Sequence, residues 1–215
     1  MNIKFIRPSY EIDMLGQSGI EKLKSIEYCA RTCYKSDHKI TDNSYEALIK
    51  MLKKNNHTAM FEFADFKVKF ICNRTVSHQL VRHRIPSFAQ QSQRYCIYKD
   101  EITFIVPEWF GDNWELTERN ELQIYKATDA QNLWIESMYT SWGYYDKLME
   151  KGLRAEQARG VLPNDIATEI NVKTNLREWI HIFSLRDDTH ADPAMRQLMS
   201  PLHEDIKQLI PIVFD

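Results

Sequence analysis

An α+β fold in one domain spanning residues 1–215 is what the sequence predicts. Two kinds of apolar periodicity alternate along the chain, every second residue in some segments and every third or fourth in others. The 215 residues are 43% hydrophobic and 27% charged, enough for a core and ordinary for a globular protein. No internal repeat, low-complexity tract or flexible linker divides them.

Asn2 to Arg7 reads as a short strand stopped by Pro8. Ile20 to Tyr34 has Ile20, Leu23, Ile26 and Ala30 at helical spacing. A second helix is expected from a cap at Asn43 or Ser44 to about Lys54. Phe61 to Cys72 alternates, with a slip at Ala64-Asp65, and is expected to be one bulged strand. Asn73 caps a short helix through about His83, and Arg84 to Gln93, with Pro86, reads as a loop. Ile102 to Val106 is a strand ended by Pro107. The acidic, aromatic stretch from Asp112 to Lys151 reads as one or two long helices, and Arg154 to Leu162 as a further turn or two before Pro163. Ala167 to Lys173 alternates as a strand, Asn175 caps a helix from Leu176 to about Arg186, and Asp192 to Leu209 is a last helix containing Pro201.

Composition excludes several function classes. A net charge of −2 lacks the Lys and Arg surplus of a general nucleic-acid binder, so no nucleic-acid partner is expected and any basic site is local. No run approaches the ~18 apolar residues of a membrane span, and the first residues lack a signal-peptide pattern, which points to a cytoplasmic protein. The four cysteines form no CxxC pair and no Cys/His zinc pattern, so no metal is expected. The six glycines build neither GxGxxG nor a P-loop.

From Phe66 through Lys99 there is no Asp or Glu, while Lys67, Lys69, Arg74, Arg82, Arg84, Arg94 and Lys99 crowd the stretch with His78 and His83. Its densest part runs from Arg82 to Arg94. The planar fork of arginine donates two parallel hydrogen bonds to a phosphate, and Ser92 and the loop amides add neutral donors. Gln79, three residues before Arg82, shares its helix face and can read a base edge or a ribose. The segment therefore suits an anionic, nucleotide-like ligand, against the plainer reading of a solvated basic face. A second cluster, Asn175, Arg177, His181, Arg186 and His190, lies on or beside one helix, where Asn175 reads first as a cap. Arg159 follows Glu156 by three residues and can pair with it.

Together these residues resemble the flavin-dependent thymidylate synthases, whose signature is Arg-His-Arg, seven residues, then Ser. Arg82-His83-Arg84 followed by Ser92 fits it, and Arg94 extends the match. His57 with Phe61-Glu62, the stretch from Glu156 to Pro163, and Asn175, Arg177, Arg186 and His190 resemble three further family segments in the family's order. The resemblance implies helices packed on a mainly antiparallel sheet. It implies reductive methylation of dUMP to dTMP, with 5,10-methylenetetrahydrofolate as carbon donor and NADPH-reduced FAD as hydride carrier. It also implies a homotetramer with active sites shared between subunits.

Carried over residue by residue, His57, Arg82, His83, Arg84, Gln90, Asn175, Arg177, His181 and His190 contact FAD. Gln79, Arg82, Gln90, Gln91, Ser92, Gln93 and Arg94 hold dUMP, joined by Arg159 from a neighbouring subunit. Arg186 sits at the uracil and favours its N3 anion, which makes it the catalytic residue. Two departures stand out: Ala59 where the family often has Ser or Thr, and Gln90-Gln91 where it often has Glu-Leu. None of the cysteines follows a proline, so the thiolate of the cysteine-dependent thymidylate synthases has no candidate here. The competing reading is a non-catalytic nucleotide- or RNA-binding module using the same basic loop.

Overall fold

The structure is a computed structural model describing residues 2–98, 100–112, 114–117, 122–124 and 126–215. Lys99 of the basic stretch lies outside the described residues. Its elements run β1 (Asn2–Ile6), β2 (Ser9–Asp13), α1 (Gly19–Thr32), α2 (Ser44–Lys54), β3 (Asp65–Asn73), α3 (Arg74–Leu80), β4 (Ser87–Gln90) and β5 (Glu101–Ile105). They continue with β6 (Trp114–Leu116), β7 (Leu122–Ile124), α4 (Asp129–Glu150), α5 (Ala155–Ala158), β8 (Ala167–Asn175), α6 (Leu176–Arg186) and α7 (Pro193–Leu209). The α+β class holds, with mixed helices and antiparallel sheet. A four-stranded sheet has the order β2-β3-β8-β4, while β1 pairs in parallel with β5 and β6 antiparallel with β7.

The chain divides into two units, one of Met1–Ser9, Phe70–Arg82 and Ala89–Ile170, the other of Tyr10–Lys69, His83–Phe88 and Asn171–Asp215. The first unit's core gathers Ile3 and Phe5 of β1, Ile102 and Phe104 of β5, and Met138, Trp142 and Tyr145 of α4. In the second, α1 begins with a capping box in which the Ser18 hydroxyl accepts from Glu21 N and the Glu21 side chain accepts from Ser18 N. Gly19 lies so close to Leu209 that a Cβ would fall 1.7 Å from the Leu209 carbonyl oxygen. Trp179 of α6 stacks on Phe66 of β3 with ring centroids 4.7 Å apart, fixing the roll of α6.

Several expectations need correction. The slip at Ala64-Asp65 is no bulge: Thr58–Phe63 forms a 3-10 helix and the strand starts at Asp65. Phe61 and Phe63 therefore mimic strand alternation inside a helical turn. The expected loop after Arg84 contains β4. The stretch from Asp112 is not helical throughout, because β6 and β7 precede α4, and residues 113, 118–121 and 125 of it lie outside the described residues. Strand β2 follows Pro8 and gave no separate periodic signal.

Candidate active site

Helix α6 organises the second unit's site. The Asn175 side chain accepts from Glu178 N at 2.9 Å, satisfying a donor that the first turn leaves unpaired. Leu176, Trp179, Ile182 and Phe183 are buried. The other side of the helix lines a cavity of about 590 Å³ with Asn175, Arg177, His181 and Ser184, joined by Thr58, Glu62 and Ile85. Arg177 is held at the rim by Glu62, 2.6 Å from its Nη1. The cavity mixes apolar wall with N–H donors, the character of a cofactor pocket.

Arg186 and His83 do not line this cavity themselves but adjoin Glu178 and His181, which do, and Arg186 Nε donates to His83 Nε2 at 3.0 Å. His83 is only 6% exposed, and its Nδ1 lies 3.7 Å from Glu178 Oε1. Burial, then the positive charges of Arg186 and His181, pushes the His83 pKa down to about 4, so the ring is neutral at physiological pH. A guanidinium only donates, so Nε2 carries the lone pair and Nδ1 carries the proton. Burial raises the Glu178 pKa, against the pull of His181 and Arg177. The ligating atoms of His83, Glu178 and His181 lie within 4.8 Å of one another, a donor set that zinc accepts. Arg186 on His83 Nε2 opposes a cation there with a fixed positive charge.

Other expected residues sit apart from this cluster. His57 is exposed at the start of the 3-10 helix, and its neighbour Thr58 lines the cavity. Ala59 is exposed, so the hydroxyl in this turn comes from Thr58. Arg84 is exposed beside Ile85. His190 does not line the cavity: its side chain is 94% exposed and its Nδ1 lies 2.9 Å from Asp188 Oδ1.

The remaining candidates belong to the first unit. Asn73 caps α3 by accepting from Val76 N at 2.9 Å and donates to Asp165 at 3.1 Å, which anchors the helix that carries Gln79. Arg82 is exposed just beyond it, its N–H donating to the Gln79 carbonyl. On β4, Gln90 Nε2 donates to Ser77 Oγ at 2.9 Å and Thr168 Oγ1 at 3.2 Å. Ser77 spends its own proton on the Arg74 carbonyl at 3.0 Å, so it can only accept from Gln90. A glutamate in that place would set a carboxylate against an oxygen with no proton left to give, which accounts for the Gln90 departure.

Gln91 lines a separate cavity of about 290 Å³ with Tyr98, Thr168 and Glu169. Ser92 Oγ accepts from Arg94 N at 3.3 Å, and Gln93 hydrogen-bonds Tyr98. Arg94 Nε lies 3.6 Å from Glu156, whose other oxygen pairs with Arg154 at 2.9 Å. The expected Glu156 partner, Arg159, instead begins a 3-10 turn and is exposed.

Glu62 was named with its family segment but given no role, and sequence reasoning missed Thr58, Ile85, Glu178 and Ser184. Glu178 left a trace: it precedes the buried Ile182 by one helical turn, placing a carboxylate on an apolar face. The others left none, because they are ordinary residues that only the fold brings to the cavity.

The profile of the family described as thymidylate synthase complementing protein matches residues 17–212. The flavin-dependent thymidylate synthase of Pyrococcus abyssi is 31% identical over 204 residues, 89% of this chain and 78% of the relative. The chain belongs to this family. As a flavin-dependent thymidylate synthase family member, it is also similar to the protein of that name from Geobacter sulfurreducens, 32% identical over 198 residues, 88% of this chain and 79% of the relative. The fold is shared with a UMP/dUMP methylase, PolB, from Streptomyces cacaoi, solved with 5-Br dUMP bound. That likeness has a TM-score of 0.75 at 20% identity and covers 100% of this chain and 95% of the other.

Proposed function

We propose that this protein methylates dUMP reductively to dTMP, taking the carbon from 5,10-methylenetetrahydrofolate and the electrons from NADPH through FAD. The cavity on α6 carries the reading: N–H donors of Arg177 and His181 converge there beside the apolar Ile85 and Ile180. That mixture fits a flavin ring, whose faces are apolar and whose edge is polar. When bound, FAD supplies the hydride that turns a methylene on uracil C5 into a methyl group.

The chain's own residues bind and polarise. Asn175, Arg177, His181 and His83 line the flavin side, with His57, Arg82, Arg84, Gln90 and His190 as further contacts. Gln79, Arg82, Gln90, Gln91, Ser92, Gln93 and Arg94 hold the nucleotide, its phosphate near Ser92. Arg186 sits at the uracil, where a fixed cation stabilises the negative charge that builds as C5 becomes nucleophilic. Arg159 completes the nucleotide site from a neighbouring subunit of a homotetramer. Residues 1–215 act as one catalytic domain, in the cytoplasm, and no helix among the described residues is long and apolar enough to cross a membrane.

Purified protein incubated with FAD, NADPH, methylenetetrahydrofolate and dUMP should form dTMP, followed by chromatography. Omitting FAD from stripped protein should abolish the product. Folded, FAD-loaded protein that forms none with all four components present would overturn the reading.

A further inference from the structure

Glu178 has no part in the reaction as proposed, yet it is a carboxylate 6% exposed on a helix that otherwise buries apolar side chains. Burying it disfavours its charge, a cost that an apolar residue of similar size avoids. Its surroundings point to a purpose. Glu178 and Arg186 stand eight residues apart on α6, about 12 Å along the axis. Both reach the same imidazole: Arg186 Nε donates to His83 Nε2 at 3.0 Å, and Glu178 Oε1 lies 3.7 Å from His83 Nδ1. The His181 ring stands edge-on to His83, centroids 6.0 Å apart at 79°, and helps fix the plane of the ring.

We propose that Glu178 is a positioning residue that acts through His83 to hold the guanidinium of Arg186. Arg186 can only donate, so His83 Nε2 must accept and the single ring proton must sit on Nδ1. Glu178 faces that proton and favours the tautomer that Arg186 requires. At 3.7 Å the contact is electrostatic, and a shift of less than 1 Å makes it a hydrogen bond. The opposite tautomer sets N–H against N–H at Arg186 and a lone pair against the carboxylate. Among the described residues, the charged and titratable groups facing His83 are Arg186, His181 and Glu178, and of these only Glu178 is a carboxylate, whereas the His181 ring offers a donor as well as an acceptor. Glu178 is itself held by its backbone, since its N–H donates to the Asn175 cap. The same residue that begins α6 therefore sets the start of the relay. It rests on the reading above, in which Arg186 works at the uracil.

Two variants and two measurements test it. Nitrogen-15 NMR of histidine-labelled protein reads the His83 tautomer without any turnover. In the wild type and in Glu178→Gln, which keeps an acceptor oxygen, His83 should be protonated on Nδ1. In Glu178→Ala that preference should be lost. Steady-state kinetics should show kcat of Glu178→Ala down on the order of 10²-fold, the effect of a misplaced catalytic group. KM for dUMP should change by less than about threefold, since the proposed role is exercised on Arg186 in the transition state rather than on ground-state binding of the nucleotide. Glu178→Gln should restore kcat to within about threefold of the wild type.

An unchanged tautomer in Glu178→Ala would overturn the relay, as would wild-type kcat in that variant. Loss of kcat in Glu178→Gln equal to that of Glu178→Ala would also overturn it. A wild type that makes no dTMP refutes the proposed function and leaves the tautomer measurement to decide the relay separately.

Discussion

Gln90 is specified by the direction of one hydrogen bond. Because Ser77 gives its proton to the Arg74 carbonyl, only a donor satisfies its oxygen from β4. Gln90→Glu should cost about 1–3 kcal/mol, the penalty for a half-buried polar pair, with Ser77 fully buried, left without a proton between its members. Urea denaturation checks it, and equal stability would show that Thr168 and Ser77 reorient freely. Arg82 should matter for binding more than for folding, since it is exposed. Arg82→Ala should lose charge-assisted bonds worth roughly 1.5–3 kcal/mol each and retain no FAD through gel filtration. Full flavin occupancy with full activity would remove it from the site.

His83 carries a pH signature. Its folded pKa of about 4 is below the unfolded value of 6.5, so the unfolded chain binds more protons between them. Stability from this group is complete above pH 6.5 and is lost as pH falls toward 4, by at most about 3 kcal/mol. Glu178, with a raised pKa, acts in the opposite sense, its contribution fading as pH rises. The difference between wild type and His83→Asn therefore isolates the His83 slope, and parallel pH profiles of stability would contradict it. At this scale the Arg-His-Arg motif was legible, but the burial of His83 was not. Nothing in the sequence reveals that Arg186, over a hundred residues away, would meet its ring.

At the scale of elements, what was legible followed local signals. Helix α6 begins and ends where Asn175 and Arg186 predicted, because an Asn cap and a 3.6-residue stripe are both local. Asn175→Ala should cost about 1 kcal/mol through the lost cap and also weaken FAD binding, because the same residue lines the cavity. Unchanged thermal stability would deny the cap its role. The missed strands were short: β2, β4, β6 and β7 have five residues or fewer, too few for a period to show. The 3-10 helix from Thr58 was hidden because three residues per turn can imitate alternation over one turn. Gly19 is a tertiary requirement that no local rule reveals. Gly19→Ala should destabilise by about 1–3 kcal/mol, because the Leu209 backbone cannot yield as a side chain would.

For the molecule as a whole, the cysteines separate the flavin route from a thiolate route. Burial pushes the Cys72 thiol up to about 12, far from a nucleophile at neutral pH. The fold class and the family were legible because four motifs span most of the chain in order. The cavity was legible only in part, since Thr58, Ile85 and Ser184 reach it through the fold rather than through any pattern of their own. A variant lacking all four cysteines should stay active, and complete loss with an intact fold would revive the thiolate.

The central claim is chemistry at C5 of uracil, and tritium release from 5-tritiated dUMP measures it directly. Purified protein should release tritium to water only when FAD, NADPH and methylenetetrahydrofolate are all present. No release from folded, FAD-loaded protein under those conditions would contradict the account and leave a nucleotide-binding module in its place.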